Sequence, residues 1–381
     1  MATITVPGAS GNTYNFSGPA NTVLAQSIAN TLSSLLASGA LTVASVAGGG
    51  TSPAPTGAGT NELVITSGGI VNVPAGYGVV VDGSKNGNLS VTGGSSFFGG
   101  GGNISFTNSG AGPASVVAGN GNDVFNLSGA YTVAAGSGFD NYNLGGTGQV
   151  SLGGGSNLVA LSSGADTIFA GANPGPTGII GGSGSVFFYA GNSPTQVLDV
   201  IVGGSGGDTI VGAANNVVVY ASPTTGGASN PGALMVAGGG NETLFGAASQ
   251  TNDQLWGSFG PGNDLLVAGS GNDALIGGAG NDSLIGGSGN DTFYVINSQL
   301  VSTITKTAVT PGVDFLYNTH PGETLAMTGF DTLYGAAGSG AAANAVKASL
   351  AGGGSAVTLK DGTQITFASP GGANGINIIS S

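Results

Sequence analysis

Short apolar runs alternate with Gly, Asn, Ser and Asp along the whole chain, and the rhythm of that alternation changes three times. Two strand-like runs, Thr3 to Val6 and Thr13 to Phe16, come first. A segment of helical period follows: Leu24, Ile28, Leu32 and Leu35 recur at spacings of four and three, with Ala25 and Ala29 beside them. This spacing puts one apolar stripe on an amphipathic helix, which Asn21 is placed to cap and Gly39 to stop. The stretch from Gly48 to Thr60, GGGTSPAPTGAGT, has the composition of a linker. The predicted organisation is a small N-terminal unit over 1–46, a linker over 47–62, a repetitive region over 63–295 and a C-terminal region over 296–381.

From Leu63 to Val295 the apolar runs are three to five residues long, as in Gly78-Val79-Val80-Val81, Val186-Phe187-Phe188-Tyr189 and Asn216-Val217-Val218-Val219-Tyr220. Strands this short with turns this frequent predict a repeat architecture. The clearest stretch reads GSGNDALIG from Gly269, GAGNDSLIG from Gly278 and GSGNDTFYV from Gly287, so that Asp264, Asp273, Asp282 and Asp291 stand nine residues apart. Nine residues suit half a coil of a β-solenoid: about six make a turn in which Gly tolerates positive φ, and about three make a strand whose middle residue points inward. Two nonapeptides then close one coil. Asp264 is expected over Asp282 on one edge and Asp273 over Asp291 on the other, with Leu266, Leu275, Leu284 and Phe293 filling the core. The same step recurs more loosely at Asp123, Asp140, Asp166, Asp208 and Glu242. Coiled throughout, residues 63–295 would make roughly a dozen coils and a rod on the order of 60 Å long. The predicted fold class is therefore all-β, a parallel β-solenoid or β-roll with Gly-Asp turns.

Composition narrows what such a fold can do. Of 381 residues 78 are Gly, and charged residues make up 6% against roughly 25% in an average soluble protein. Glycine follows no three-residue period, which excludes collagen, and 40% apolar content argues against wholesale disorder. Seventeen carboxylates face four basic residues, all of them Lys, for a net charge of -13. Nucleic acid and anionic membrane surfaces would repel this chain, and cations are its natural partners. With no Cys there are neither disulfides nor thiolate metal sites. Nowhere do 18 apolar residues run together, so no membrane-spanning helix is expected, and the first residues lack the basic and apolar pattern of a secretory signal.

The nonapeptides resemble the Gly-Gly-x-Gly-x-Asp-x-apolar-x repeats of the RTX, or haemolysin-type calcium-binding, family, closely over Gly260 to Val295 and more loosely over Val116 to Leu244. The resemblance implies Ca²⁺ held between successive turns by Asp264, Asp273, Asp282 and Asp291 and by turn carbonyls around Gly269, Gly271, Gly278, Gly280, Gly287 and Gly289. Oxygen-only ligands on a Gly-rich backbone suit a hard cation, and stacked carboxylates repel unless a cation lies between them. Gly-Asn-Asp is also good turn chemistry without metal, so both readings stand at this point. Asp123, Asp140 and Asp208 keep the local motif but lack an Asp eighteen residues away, and Glu242 departs from it by a methylene.

After Val295 the pattern loosens into apolar runs at Val313 to Tyr317, Thr324 to Met327 and Asp331 to Tyr334, an Ala-rich stretch from Ala341 to Leu350 with helical character, and a hairpin from Val357 to Phe367 turning at Asp361-Gly362. This region resembles the uncleaved C-terminal segment by which RTX proteins leave the cell through a type I exporter, and as a structural element it would also cover the solenoid's end.

Catalytic readings find little support. The single His320 excludes a two-His zinc motif, no Lys follows a Gly as in a phosphate loop, and Gly203-Gly204-Ser205-Gly206-Gly207 matches a nucleophile elbow only as expected by chance in so Gly-rich a chain. No carboxylate pair stands out as a glycosidase site. The expected function is that of a non-enzymatic, extracellular, calcium-binding structural protein that self-assembles into a surface layer, fibre or biofilm matrix, because few charged residues guard its strand edges. The alternative is a calcium-dependent adhesin or ligand-binding solenoid.

Overall fold

A computed structural model describes residues 3–7, 13–17, 22–56, 60–84, 88–93, 96–108, 113–170, 174–191, 199–212, 217–221, 232–248, 252–260, 262–305, 310–368 and 373–381. The chain is all-β with few helices, built from about 11 turns of parallel stacked coils. It divides into two compact units, Met1–Gly184 and Ser185–Ser381.

In the first unit, strands Thr3–Pro7 and Thr13–Ser17 pair antiparallel, and helix α1 (Thr22–Ala37) follows. The expected cap, Asn21, lies outside the described residues. The helix ends at Gly39, whose φ of 70° is the left-handed conformation that a glycine adopts without penalty, and Ala40 N–H closes the last turn on Leu35 C=O at 2.9 Å. Ala29 and Leu32 of α1 are buried against Leu41, Val64, Val79, Val81 and Phe98, with Leu35 packed beside them, so this part of the helix covers the first coils; the side chains of Leu24 and Ile28 lie outside the described residues. Stacking begins at strand Leu41–Val46, which pairs in parallel with Thr60–Ile65. The Gly- and Pro-rich stretch after Val46 therefore joins two paired strands.

Two inward rows fill this unit. Leu63, Val80, Phe97, Val116, Val133, Val150 and Ile168 lie in register on one sheet, and Val71, Val91, Phe106, Phe125, Tyr142, Val159 and Ile179 on the other. All are buried, and Phe97 and Phe106 stack across the interior with centroids 5.0 Å apart.

The second unit repeats the plan with strands of three to five residues. Phe188, Ile210, Met235, Leu255, Leu275, Phe293, Leu325 and Ile378 make one inward row, and Ile201, Val219, Leu244, Leu266, Leu284, Leu316 and Phe367 the other. Leu266, Leu275, Leu284 and Phe293 are fully buried, as their place two residues after each Asp requires. Stacking continues past Val295, with Val313–Tyr317 on Ser283–Ile285 and Thr324–Thr328 on Thr292–Ile296. Helix α2 (Ser298–Thr305) fills the gap between these repeats. Asp331–Tyr334 forms a helical turn, α3, and the Ala-rich stretch forms α4 (Ala341–Ala351). The hairpin pairs Ala356–Thr358 antiparallel with Gln364–Phe367 around Gly362, whose φ is 99°. Asp331 ties this end together, accepting N–H bonds from Gly340 at 2.6 Å and Ala342 at 3.0 Å at the start of α4 and a hydroxyl bond from Ser380 at 2.5 Å.

Candidate metal centre

The nonapeptide turns owe their form to how closely successive coils approach. A Cβ at Gly289 would collide with the Gly271 carbonyl oxygen and stand 2.6 Å from its carbon; one at Gly287 would meet the Gly269 carbonyl, and one at Gly280 the Gly262 carbonyl. Gly278, Gly280 and Gly289 also have φ of 94°, 117° and 133°. Glycine at these positions lets carbonyl oxygens of one turn come against the backbone of the next. Gly289→Ala is expected to cost about 2–4 kcal/mol, from strain and clash together. Gly338→Ala, at φ 69° with open space around it, is expected to cost only about 1 kcal/mol. Equal urea midpoints for the two variants would contradict the close stacking.

Each motif Asp sits at the junction of turn and strand with its side chain turned inward. The register places Asp264 over Asp282 and Asp273 over Asp291, as the nine-residue spacing requires. The Oδ1 atoms accept from the coil before: Asp264 N–H donates to Asp282 at 2.9 Å and Asp273 N–H to Asp291 at 2.9 Å. The Oδ2 atoms of Asp264, Asp273 and Asp291 accept turn N–H groups from Ser258 (2.6 Å), Gly269 (2.9 Å) and Gly287 (2.8 Å). Asp282 Oδ2 is buried without a hydrogen-bond partner.

The ladders extend beyond the strict repeats. Asp253, which the sequence pattern did not single out, stands over Asp273 at a spacing of 20, its N–H donating to Asp273 Oδ1 at 2.7 Å. Glu242 stands over Asp264 at a spacing of 22. Asp314 and Glu323, beyond the repeats, lie in register with Asp282 and Asp291. In the first unit Asp123 does have a partner, Asp140, but 17 residues on, with Asp123 N–H donating to Asp140 Oδ1 at 3.0 Å. Asp166 accepts from Gly148 N–H at 3.1 Å and forms a short hydrogen bond with the Tyr131 hydroxyl.

A second ladder runs beside the first, made by the Asn that precedes the Asp. Asn272 N–H donates to Asn252 Oδ1 (3.0 Å) and Asn290 N–H to Asn272 Oδ1 (2.8 Å); Asn263, Asn281 and Val313 do the same on the opposite edge. Each Asn thus accepts from the following coil while its neighbouring Asp accepts from the preceding one, so that Asn-Asp binds a coil in both directions.

Burial governs the electrostatics. It pushes Asp273 up to about 7, with Asp253 and Asp291 adding repulsion, and Asp282 up to about 9, with Asp314 the larger of its repelling neighbours. Glu242 also rises to about 9, from burial and then the Asp264 charge. Among the described residues the one ion pair is His320 with Glu323 at 3.4 Å, so none of the described basic side chains pairs with the motif carboxylates. Also among the described residues, no three His, Cys, Asp or Glu side chains come together as a metal cluster, and a cation here must draw on backbone oxygen as well. The donors fit that demand. A carboxylate oxygen that accepts one N–H keeps lone pairs for a cation, Asp282 Oδ2 has all of its own, and every nearby donor is a hard oxygen suited to Ca²⁺.

His320 is engaged locally, its Nδ1 lying 3.3 Å from the Pro321 carbonyl, and Ser205 lies in the turn whose Gly204 N–H donates to Asp208. Among the described residues no helix is long and apolar enough to cross a membrane.

Comparison with known proteins gives no match to a curated protein or to a solved structure. The family profile of the RTX calcium-binding nonapeptide repeat (4 copies) matches residues 150–173, 199–221 and 260–293, together about a fifth of the chain. The last of these segments holds Asp264, Asp273, Asp282 and Asp291, and nonapeptides of this kind are calcium-binding motifs. The chain thus carries RTX calcium-binding nonapeptide repeats, stacked here as parallel coils.

Proposed function

We propose that this protein is secreted through a type I exporter and that, outside the cell, Ca²⁺ switches it into a non-catalytic structural element that self-assembles into a surface layer, fibre or matrix. Asp264, Asp273, Asp282 and Asp291 serve as carboxylate ligands in this reading, with carbonyls of turns at Gly269, Gly271, Gly278, Gly280, Gly287 and Gly289. Residues 296–381 both close the solenoid and address the exporter.

The observation that carries self-assembly is the outward surface of the second unit. On one sheet the outward rows are Phe187, Thr209, Leu234, Gln254, Ala274, Thr292 and Tyr189, Val211, Val236, Trp256, Tyr294, with Ile276 of the second row itself buried. On the other they are Val200, Val218, Thr243, Leu265, Ser283, Phe315 and Val202, Tyr220, Phe245, Val267, Ile285, Tyr317. None of these residues is charged, whereas soluble solitary sheets carry charges to prevent association. The carboxylates that give the chain its net charge lie largely inside, so they do not guard these faces.

Replacing Tyr220 and Val267 together by Lys puts two charges on one outward face without touching the core. The expected result is loss of micrometre-scale assemblies in millimolar Ca²⁺ at unchanged melting temperature, read by electron microscopy and calorimetry. The adhesin reading draws on the parallel stack of Tyr220 on Phe245, 4.7 Å between centroids and 4° between planes, a surface that suits a flat ligand. A monodisperse wild-type monomer at high protein and Ca²⁺ concentration would favour the adhesin.

A further inference from the structure

The Asp264–Asp282 ladder does not stop where the nonapeptides stop. Strand Val313–Tyr317 stacks on Ser283–Ile285 with Ser283 opposite Phe315, which sets Asp314 over Asp282 at a spacing of 32 residues instead of 18. Phe315 N–H donates to Asp282 C=O at 2.8 Å, holding the two backbones together. Asp282 is fully buried and Asp314 is 5% exposed. Asp282 Oδ1 is taken by Asp264 N–H, but Oδ2 has no hydrogen-bond partner. That oxygen and Asp314 Oδ1 converge on one place: a Cβ built on Gly277 would lie 3.1 Å from the first and 3.3 Å from the second. Glycine leaves that place open.

We propose that Asp314 and Asp282 hold a further Ca²⁺ beside Gly277, a site that joins the last repeat to the C-terminal region. The inference rests on the calcium-binding reading above and adds to it a ligand outside the matched repeats, which end at residue 293. Two buried anionic oxygens facing one gap, one of them unpartnered, form a site for a small hard cation, with backbone carbonyls completing the shell. The ion orders more than its own ligands. Gln364–Phe367 pairs in parallel with Val313–Leu316 and in turn carries the antiparallel strand Ala356–Thr358, so the closing hairpin is built on the strand that brings Asp314. Calcium at this position makes closure of the solenoid wait for the ion.

The test uses the full chain and counts bound Ca²⁺ by equilibrium dialysis, alongside hydrogen exchange of residues 313–317 and 364–367. Asp314→Asn keeps the shape and removes the charge; Gly277→Ala keeps both carboxylates and places a methyl in the gap. Each is expected to bind one Ca²⁺ fewer than the wild type, and in each the exchange of these strands should lose its Ca²⁺ dependence while that of 265–267 keeps it. An unchanged count in both variants, or exchange that still responds to Ca²⁺, overturns the proposal and points to a shared proton between the two carboxylates. A wild-type chain that binds no Ca²⁺ at all would instead defeat the calcium-binding reading of the repeats, which separates the two failures.

Discussion

Transfer from 10 mM Ca²⁺ to chelator at neutral pH is expected to lower the melting temperature of the chain by on the order of 10 °C or more, with loss of β-structure in the second unit first. Extracellular calcium modules bind with Kd of about 10⁻⁴ to 10⁻³ M, so this concentration is about 10 to 100 times Kd. Binding to the folded state alone then stabilises by about 1.4 to 2.7 kcal/mol per ion. A unit of roughly 150–250 residues moves by about 2–4 °C per kcal/mol, so two or three ions suffice for the expected shift. The physical source is burial: the motif carboxylates lie inside stacked coils, no described basic side chain pairs with them, and the cation is what their charge lacks. Scanning calorimetry in the two conditions measures it, and Asp282→Asn should reproduce part of the loss.

Acid should replace calcium. In chelator, lowering the pH from about 8 to 5 is expected to raise stability by several kcal/mol, on the scale of about 1.4 kcal/mol per pH unit for each displaced carboxylate. Burial pushes Glu62 and Asp123 up to about 7 and Asp140 and Asp208 up to about 6, none of them among the proposed ligands. In the unfolded chain these groups titrate in the ordinary carboxylate range, so between about pH 4 and pH 7 the folded state binds more protons. Stability therefore falls as pH rises across that window, being fully present below the unfolded value and lost through the folded one. Asp273 near 7 and Asp282 near 9 extend the decline in metal-free protein. Asp331 works in the opposite sense. Burial pushes it up, but hydrogen bonds from Ser380, Ala342 and Gly340 outweigh this and hold it below its usual value, so its contribution is lost only at the acid extreme. Urea unfolding at pH 5 and pH 8 in chelator checks the sign; a chain more stable at pH 8 would contradict it.

The sequence made the repeat legible where its period is constant. Nine-residue spacing placed Asp264 over Asp282 and put Phe293 in the core, and the helical period gave the buried Ala29 and Leu32 and the Gly39 stop. It failed where coil length varies. Asp123 and Asp140 pair at 17 residues, Asp253 and Asp273 at 20 and Glu242 and Asp264 at 22, because the turns lose or gain residues without disturbing the strands. A search for partners eighteen residues away misses all three. Asp314 and Glu323 are hidden by a longer insertion that contains α2, which the spacing of apolar residues after Val295 does not announce. The Asn ladder was in plain view as the invariant companion of each motif Asp, but turn propensity alone explains Asn there, and only the stacked backbone shows its amide reaching the next coil. The outward rows escaped for a related reason: short apolar runs reveal which residues alternate, while register decides which of them align across coils.

Whether Ca²⁺ binds the buried carboxylates in place of protons is read by calcium titration calorimetry of the full chain at pH 7, repeated in two buffers of different ionisation enthalpy. Carboxylates that hold protons when metal-free must give them up to a cation. The expected result is saturable binding of several ions in the range of about 10⁻⁴ to 10⁻³ M, with heats that differ between the buffers because protons are released, and a higher melting temperature in the same loaded sample. No binding heat in either buffer, with identical melting in chelator and in millimolar Ca²⁺, would contradict it.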